Sequence, residues 1–226
     1  MRNYFLDYYW IIRSKTFEGI CFLRDRLVEY GDLRFARADL CLRRAARKHN
    51  VYKEYLAYFK DQDKDKIDPY GETPLKTMRK IALSMGINAG QKVMELGSGR
   101  GRIAMWLATQ VGCKVVAVEH VPFLLELAKS TSESAGISGS EIQWLCSDIS
   151  KAPFEEVDLI YFYGVGLPDA LFEKLCLKLR YMKRPPLIIT IGGPLSEYDP
   201  LFTVIQVTPV VFPWGWTRAY LNTCQT

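Results

Sequence analysis

From residue 92 onward, short apolar runs alternate with stretches of helical length, and this repeat narrows the fold more than any other feature of the chain. The runs are Lys92–Leu96, Lys114–Val118, Ile142–Cys146, Val157–Tyr163 and Pro186–Ile191. Their aliphatic composition suits strands covered on both faces. Between them, Ile103–Val111, Pro122–Ser134 and Pro168–Tyr181 read as helices, with Pro122 in a first turn, where a missing N–H matters little. Strand, crossover, strand, repeated, dictates a parallel sheet with helices on both faces. Two further runs, Phe202–Val211 and Trp216–Asn222, flank Pro213-Trp-Gly215. That connection is too short for a crossover, so the two are antiparallel. The expectation is an α/β fold of seven strands with antiparallel terminal strands.

The start of the chain reads differently. Residues 1–66 are expected to form a helical N-terminal segment, a lid or substrate platform, and residues 67–226 the α/β domain. Leu33, Phe35, Leu40 and Leu42 among arginines, then Tyr52, Tyr55, Leu56 and Phe59 at spacings near three to four, fit helices. Asp61-Gln-Asp-Lys-Asp-Lys66 holds no apolar residue and is followed by Asp68-Pro69, which marks the connection. The net charge is +5, yet residues 1–60 alone hold 13 Lys or Arg against 7 Asp or Glu. The densest patch is Arg43-Arg44-Ala-Ala-Arg47-Lys48. It suits phosphates, an acidic protein or an anionic membrane surface, or is simply a solvated helix face. Nucleic acid therefore stays open as a partner of this segment.

With 49% hydrophobic and 24% charged residues, the chain is neither disordered nor fibrous. No run reaches the roughly 18 apolar residues of a membrane span. The aromatic stretch Asn3–Ile12 is broken by Asp7 and lacks a cleavage site, against a signal peptide. The 6 cysteines show no C-x-x-C spacing, and His49 and His120 stand alone, so no metal site is expected. Cys113, Cys146 and Cys176 fall in apolar runs and are expected to be reduced and buried, in a cytoplasmic protein.

The chemistry gathers at the strand ends. Glu95-Leu-Gly97-Ser-Gly99-Arg-Gly101 forms the first strand-to-helix turn. Glycines there let the backbone approach a ligand beyond the carboxyl ends of the strands. The spacing is G-x-G-x-G, not the G-x-G-x-x-G of dinucleotide folds. Glu95 decides the sign of the ligand. Beside a pyrophosphate it repels, by about 4 kcal/mol for like charges roughly 4 Å apart at an effective dielectric near 20. Beside the ammonium and sulfonium of S-adenosyl-L-methionine it attracts. Glu119 ends the second strand, where a carboxylate suits both ribose hydroxyls, and Asp148, just past the third, suits the adenine amino group. On this reading, removing Glu119 weakens cofactor binding and leaves the unliganded fold little changed.

With these residues the sequence resembles the class I, seven-strand S-adenosylmethionine-dependent methyltransferases, a Rossmann-like fold, over about residues 70–223. The resemblance implies S-adenosyl-L-methionine held by Glu95, Gly97, Ser98, Gly99, Gly101, Glu119 and Asp148. Tyr70-Gly-Glu-Thr73 lies before the glycine motif as Y-G-E-T does in the histone lysine methyltransferases that lack a SET domain. That implies a loop, with Tyr70 and Thr73, closing over the methionine end of the cofactor. Gly97–Ile103, Val118-Glu119 and Tyr161-Phe-Tyr-Gly-Val165 look more like the compact protein-lysine methyltransferases of archaea and mitochondria. Both comparisons point to a lysine of a protein. The chain departs from the histone enzymes in lacking an asparagine-rich segment after the fourth strand, and from the mitochondrial ones in lacking an apolar membrane-targeting segment. Absence of N/D-P-P-Y/F and of Pro-Cys there weighs against planar amino groups and cytosine C5 as acceptors.

Displacement at a sulfonium needs alignment and dehydration more than an acid. A lysine of pKa about 10.4 must first lose a proton, roughly 4.6 kcal/mol at pH 7. An apolar, aromatic channel lowers that requirement. Tyr70, Glu72 and Tyr163 are the candidate catalytic residues. The tyrosines, with Tyr161 and Phe162, would wall the channel, and Glu72 would orient the ammonium or take its proton through water. Methyl transfer to RNA or a small molecule, and a non-catalytic cofactor-binding protein, are the alternatives.

Overall fold

The computed structural model describes residues 16–17, 19–48, 51–60 and 71–225. Its elements begin with three helices: α1 (residues 19–28), α2 (Leu33–Lys48) and α3 (Val51–Lys60). Then follow α4 (Leu75–Met85), β1 (Lys92–Leu96), α5 (Arg102–Trp106), β2 (Lys114–Glu119), α6 (Pro122–Ser134) and β3 (Ile142–Cys146). The chain finishes with β4 (Leu159–Phe162), α7 (Asp169–Arg180), β5 (Leu187–Ile191), β6 (Phe202–Phe212) and β7 (Gly215–Cys224). Tyr70, the charged connection and its domain boundary, and the aromatic stretch 3–12 lie outside the described residues.

The seven strands make one sheet in the order β3-β2-β1-β4-β5-β7-β6. β1 to β5 are parallel, and β7 runs antiparallel to both β5 and β6. Strand order reverses between β1 and β4, which opens a crevice beyond their carboxyl ends. Period-two alternation feeds two apolar layers. Met94, Val118, Ile160 and Phe162 pack with Leu175 and Leu179 of α7 on one face. Val93, Ala117 and Tyr161 pack with Leu75, Met78 and Trp106 on the other. Burying one such large side chain contributes about 1.5–3 kcal/mol.

The N-terminal helices join this core. Phe35, Ala38 and Leu42 of α2 are 1% exposed and belong to the second layer. Val51 and Tyr55 of α3 pack on Val121 and Leu124. α4 lies along β6, where Lys80 Nζ donates to the Pro209 carbonyl (2.6 Å), Thr77 Oγ1 to the Val211 carbonyl, and Ser84 Oγ pairs with Thr208 Oγ1 (2.9 Å). β6 also carries a register shift between Val204 and Gln206.

Two expectations change. The helix over Ile103–Val111 is α-helical only to Trp106, and Leu107–Val111 widens into a π turn. It closes on left-handed Gly112, whose N–H donates to the Leu107 carbonyl (3.1 Å). Cys113 and Cys176 are buried, but Cys146 is exposed. It sits on β3, at the edge of the sheet, where fewer elements cover the strand.

Candidate active site

β1 delivers Glu95 to the crevice, and the chain then turns through residues 97–101 into α5. Gly101 makes that turn tight. Its φ is +72°, and a Cβ there would lie 2.3 Å from the Trp144 ring and 2.9 Å from Ala128. The Cα of Gly101 therefore faces Trp144 and Ala128, and the residue is not among those that line the crevice. Glu119, 5% exposed at the end of β2, holds the loop. The Gly99 N–H donates to Oε2 (2.8 Å), and the His120 and Val121 N–H groups donate to Oε1 (2.9 Å each). Oε2, with one donor, keeps acceptor capacity.

Glu95 is also 5% exposed, and its Oε2 has no partner among the described residues. Burial pushes this carboxyl well above the usual carboxylate range; the Ala104 backbone N–H opposes the shift, and the charges of Glu119 and Glu72 add to it. Ser98 Oγ is buried and lacks a partner as well. Orphaned polar atoms are rare in native interiors. Two at one crevice mark where polar ligand groups are wanted. Asp148 is exposed at the rim and caps the following turn, accepting from Ser150 N–H (2.7 Å) and Ser150 Oγ (2.6 Å) through Oδ1. The Ser150 hydrogen bond holds its carboxyl below the usual range.

The other end is aromatic. Tyr161, fully buried, shares a 2.6 Å hydrogen bond between its hydroxyl and Thr73 Oγ1. Tyr163 accepts from Trp214 Nε1 at 3.0 Å. Its ring lies 5.3 Å from that of Phe212, on which Trp214 stacks. Burial pushes both tyrosine hydroxyls up, so neither is a base near neutrality. Phe162 points to the opposite face of the sheet and packs on Phe172, 5.2 Å between centroids. Glu72 is engaged by Arg100 through Nε (2.6 Å) and Nη2 (2.8 Å). The carboxylate expected to receive an ammonium is thus paired within the protein.

The methyltransferase domain family matches residues 93–182. Among solved structures, an RNA methyltransferase from Salinibacter ruber in complex with S-adenosyl-L-homocysteine superposes with TM-score 0.57 at 18% identity, covering 70% of this chain and 95% of that one. The fold is that of the class I S-adenosylmethionine-dependent methyltransferases. TrmN from Thermus thermophilus shares it with TM-score 0.55 at 23% identity, over 68% of this chain and 49% of that one. Among curated proteins, the protein-L-isoaspartate O-methyltransferase of Methanococcus aeolicus is 30% identical over 99 residues, 42% of this chain and 46% of that protein. The sterol 24-C-methyltransferase of Pneumocystis carinii is 28% identical over 121 residues, 53% and 30% of the respective chains. The matched region is less than half the length of either relative.

The crevice gathers Glu72, Thr73, Glu95, Gly97, Ser98, Gly99, Glu119, Asp148 and Tyr163, nine of the residues singled out from sequence. Its chemistry fits the cofactor. The unpartnered Glu95 and Ser98 oxygens suit the cationic methionine end, and Glu119 Oε2 and Asp148 suit hydroxyl and amino donors. Tyr55, His120 and Ile149 also line it and were not anticipated. His120 and Ile149 each directly follow an acid that was, so chain adjacency held the clue. Tyr55 arrives from α3 and had no local signal.

Proposed function

We propose that the chain is an S-adenosyl-L-methionine-dependent methyltransferase whose acceptor is a lysine side chain of a protein. The observation that carries this reading is the division of one crevice into an acid-lined cofactor end around unpartnered Glu95 and a neutral aromatic end at Tyr161 and Tyr163. When bound, the cofactor supplies a sulfonium-activated methyl group. The loop from Gly97 to Gly99, fixed by Glu119, sets its position, and Thr73 is held at the crevice by Tyr161. Tyr163, braced by Trp214, walls the approach of the acceptor. This aromatic wall excludes water, which favours a neutral amine over an ammonium. Its hydroxyl oxygens can accept hydrogen bonds from the amine N–H groups, which leaves the lone pair free to point at the methyl carbon. Glu72 shares its charge with Arg100 and acts as a distant proton acceptor through water.

The reading places the enzyme in a reducing, cytoplasmic compartment, which its six free thiols support. Exposed Arg44 and Arg47 are what a nucleic-acid acceptor would need, so the test separates the two. Tritiated methyl transfer into a cell extract should give label that resists nuclease, is lost to protease, and is released as methyl-lysine on hydrolysis. Nuclease-sensitive label would refute the lysine assignment. Absence of any transfer by a chain that binds the cofactor would refute catalysis.

A further inference from the structure

The helix α1 is built inside out. An amphipathic helix on a soluble protein buries its apolar stripe and exposes its charges. Here the buried side chains are Asp25 and Glu29, the latter just past the last turn, each 1% exposed. Asp25 receives Arg102 Nη2 at 3.0 Å, and Glu29 receives Trp106 Nε1 at 3.1 Å. Those two partners belong to α5, so the charged face of α1 is pinned to the domain. The opposite face carries Ile20, Leu23 and Leu27 at helical spacing, exposed by 65%, 64% and 87%. Leu33, which opens α2, is 70% exposed.

The charges around this apolar face have one sign. Arg26, Arg37, Arg44 and Arg47 are exposed. All four carboxylates among residues 19–47 are turned inward or paired: Asp25, Glu29 and Asp39 are buried, and Asp32 binds Arg34 at 2.9 Å. Both outer faces point away from the same buried Arg102, which Asp25 and Asp39 grip from α1 and α2. The outer surface of the pair therefore offers aliphatic side chains and arginines and no exposed acid.

We propose that this α1–α2 face docks on an anionic lipid bilayer surface. Aliphatic side chains flanked by arginines, with no acid to repel phosphates, are the composition of an interfacial helix. Leu23 and Leu27 would enter the boundary of the acyl chains while Arg26, Arg44 and Arg47 meet headgroup phosphates. Nucleic acid shares the phosphate chemistry but not the aliphatic stripe, since bases stack on aromatic faces. No described helix is long and apolar enough to cross a membrane, so the attachment is peripheral. Arg43 takes no part. It is half-buried, bound to Asp39 at 2.9 Å and placed over the Phe22 ring at 4.5 Å.

Flotation of the full chain with vesicles tests this. The chain should rise with phosphatidylglycerol–phosphatidylcholine vesicles, stay down with phosphatidylcholine alone, and be released by salt. Leu23→Glu with Leu27→Glu should abolish flotation while the unfolding midpoint and cofactor binding stay unchanged, because both side chains are exposed. Arg44→Gln with Arg47→Gln should weaken partitioning about 25-fold, at roughly fivefold per basic residue near the surface. Three results would overturn the proposal: no flotation of the unaltered chain, unchanged flotation of the leucine variant, or lipid binding that vanishes on nuclease treatment.

Discussion

Glu95 and Glu119 look alike in sequence and act differently in the structure. Glu119 has three backbone donors, whereas Glu95 has an oxygen with none. A carboxyl raised by burial makes the fold lose stability as pH climbs from its ordinary value toward the raised one. Glu95→Gln should therefore raise the melting temperature of the unliganded protein near neutrality and weaken cofactor binding. Calorimetry showing equal affinity for the variant would dissociate Glu95 from the cationic end of the ligand. Glu119→Ala removes loop-holding bonds as well as a ligand acceptor. It should lower unliganded stability by about 1.5–3 kcal/mol, the range for hydrogen bonds to a charged group, measured by urea unfolding. That revises the expectation of an undisturbed fold. The type and place of these acids were legible in the sequence, because strand ends converge on one crevice. Their partners were not, since a carboxylate at a strand end looks the same whether backbone or ligand fills it.

Among the elements, the loop into α5 is the least tolerant. Gly101→Ala combines a left-handed φ, worth about 1–2 kcal/mol, with overpacking on Trp144, about 1–3 kcal/mol. Loss of about 2–5 kcal/mol on unfolding is expected, with partial recovery when Trp144→Leu is added; no recovery would mean that the clash is not what limits Gly101. The β6–β7 hairpin invites the opposite experiment. Trp214→Ala leaves the acids untouched but frees the Tyr163 hydroxyl and removes the ring stacked on Phe212, which backs Tyr163. It should raise the KM for the acceptor and leave cofactor affinity unchanged, and the reverse pattern would place the hairpin at the cofactor end. Strands were readable because apolar runs of four to seven residues bounded by glycine or acids have few alternatives. The π turn was not, because widening at Leu107–Val111 follows from the closing hydrogen bond at Gly112 and leaves the apolar pattern unaltered. Nor was Trp214 readable as a partner of Tyr163, 51 residues away.

For the molecule as a whole, the binding loop and the N-terminal helices are one mechanical unit. Arg102 meets Asp39 at 2.6 Å and Asp25 at 3.0 Å, with all three side chains buried or nearly so. Burial alone would raise the Asp39 carboxyl, but the charge and hydrogen bonds of Arg102 prevail and hold it at about 2. A depressed carboxylate stabilises the fold above its ordinary pKa and is lost as pH falls through the depressed one. The attachment of α2 should therefore weaken between about pH 4 and pH 2, seen as hydrogen exchange in that helix rising ahead of the sheet; Asp25 of α1, raised by burial, does not add to this acid loss. Arg102→Ala removes the most buried counterion of Asp25 and Asp39 and leaves them only the half-buried Arg43 and Arg24, so it should destabilise the protein by up to about 3–5 kcal/mol. Uniform exchange across both regions would refute a separable attachment. The sequence showed arginines at 100 and 102 and acids at 25 and 39, and linear order gave no reason to pair them. Such pairs are set by the three-dimensional packing of elements, which periodicity does not encode.

The fit of α4 along β6 bears on how the protein keeps to itself. A long strand at the border of a sheet offers its carbonyls and N–H groups to any extended chain that passes. Along β6, Lys80 and Thr77 already occupy the Pro209 and Val211 carbonyls, proline supplies no N–H at 209, and the irregularity after Val204 breaks the register a newcomer would need. An incoming strand would find neither a continuous row of partners nor a straight template. Strand addition along the β6 border is therefore disfavoured, even though Ile205 and Val207 stand exposed on it.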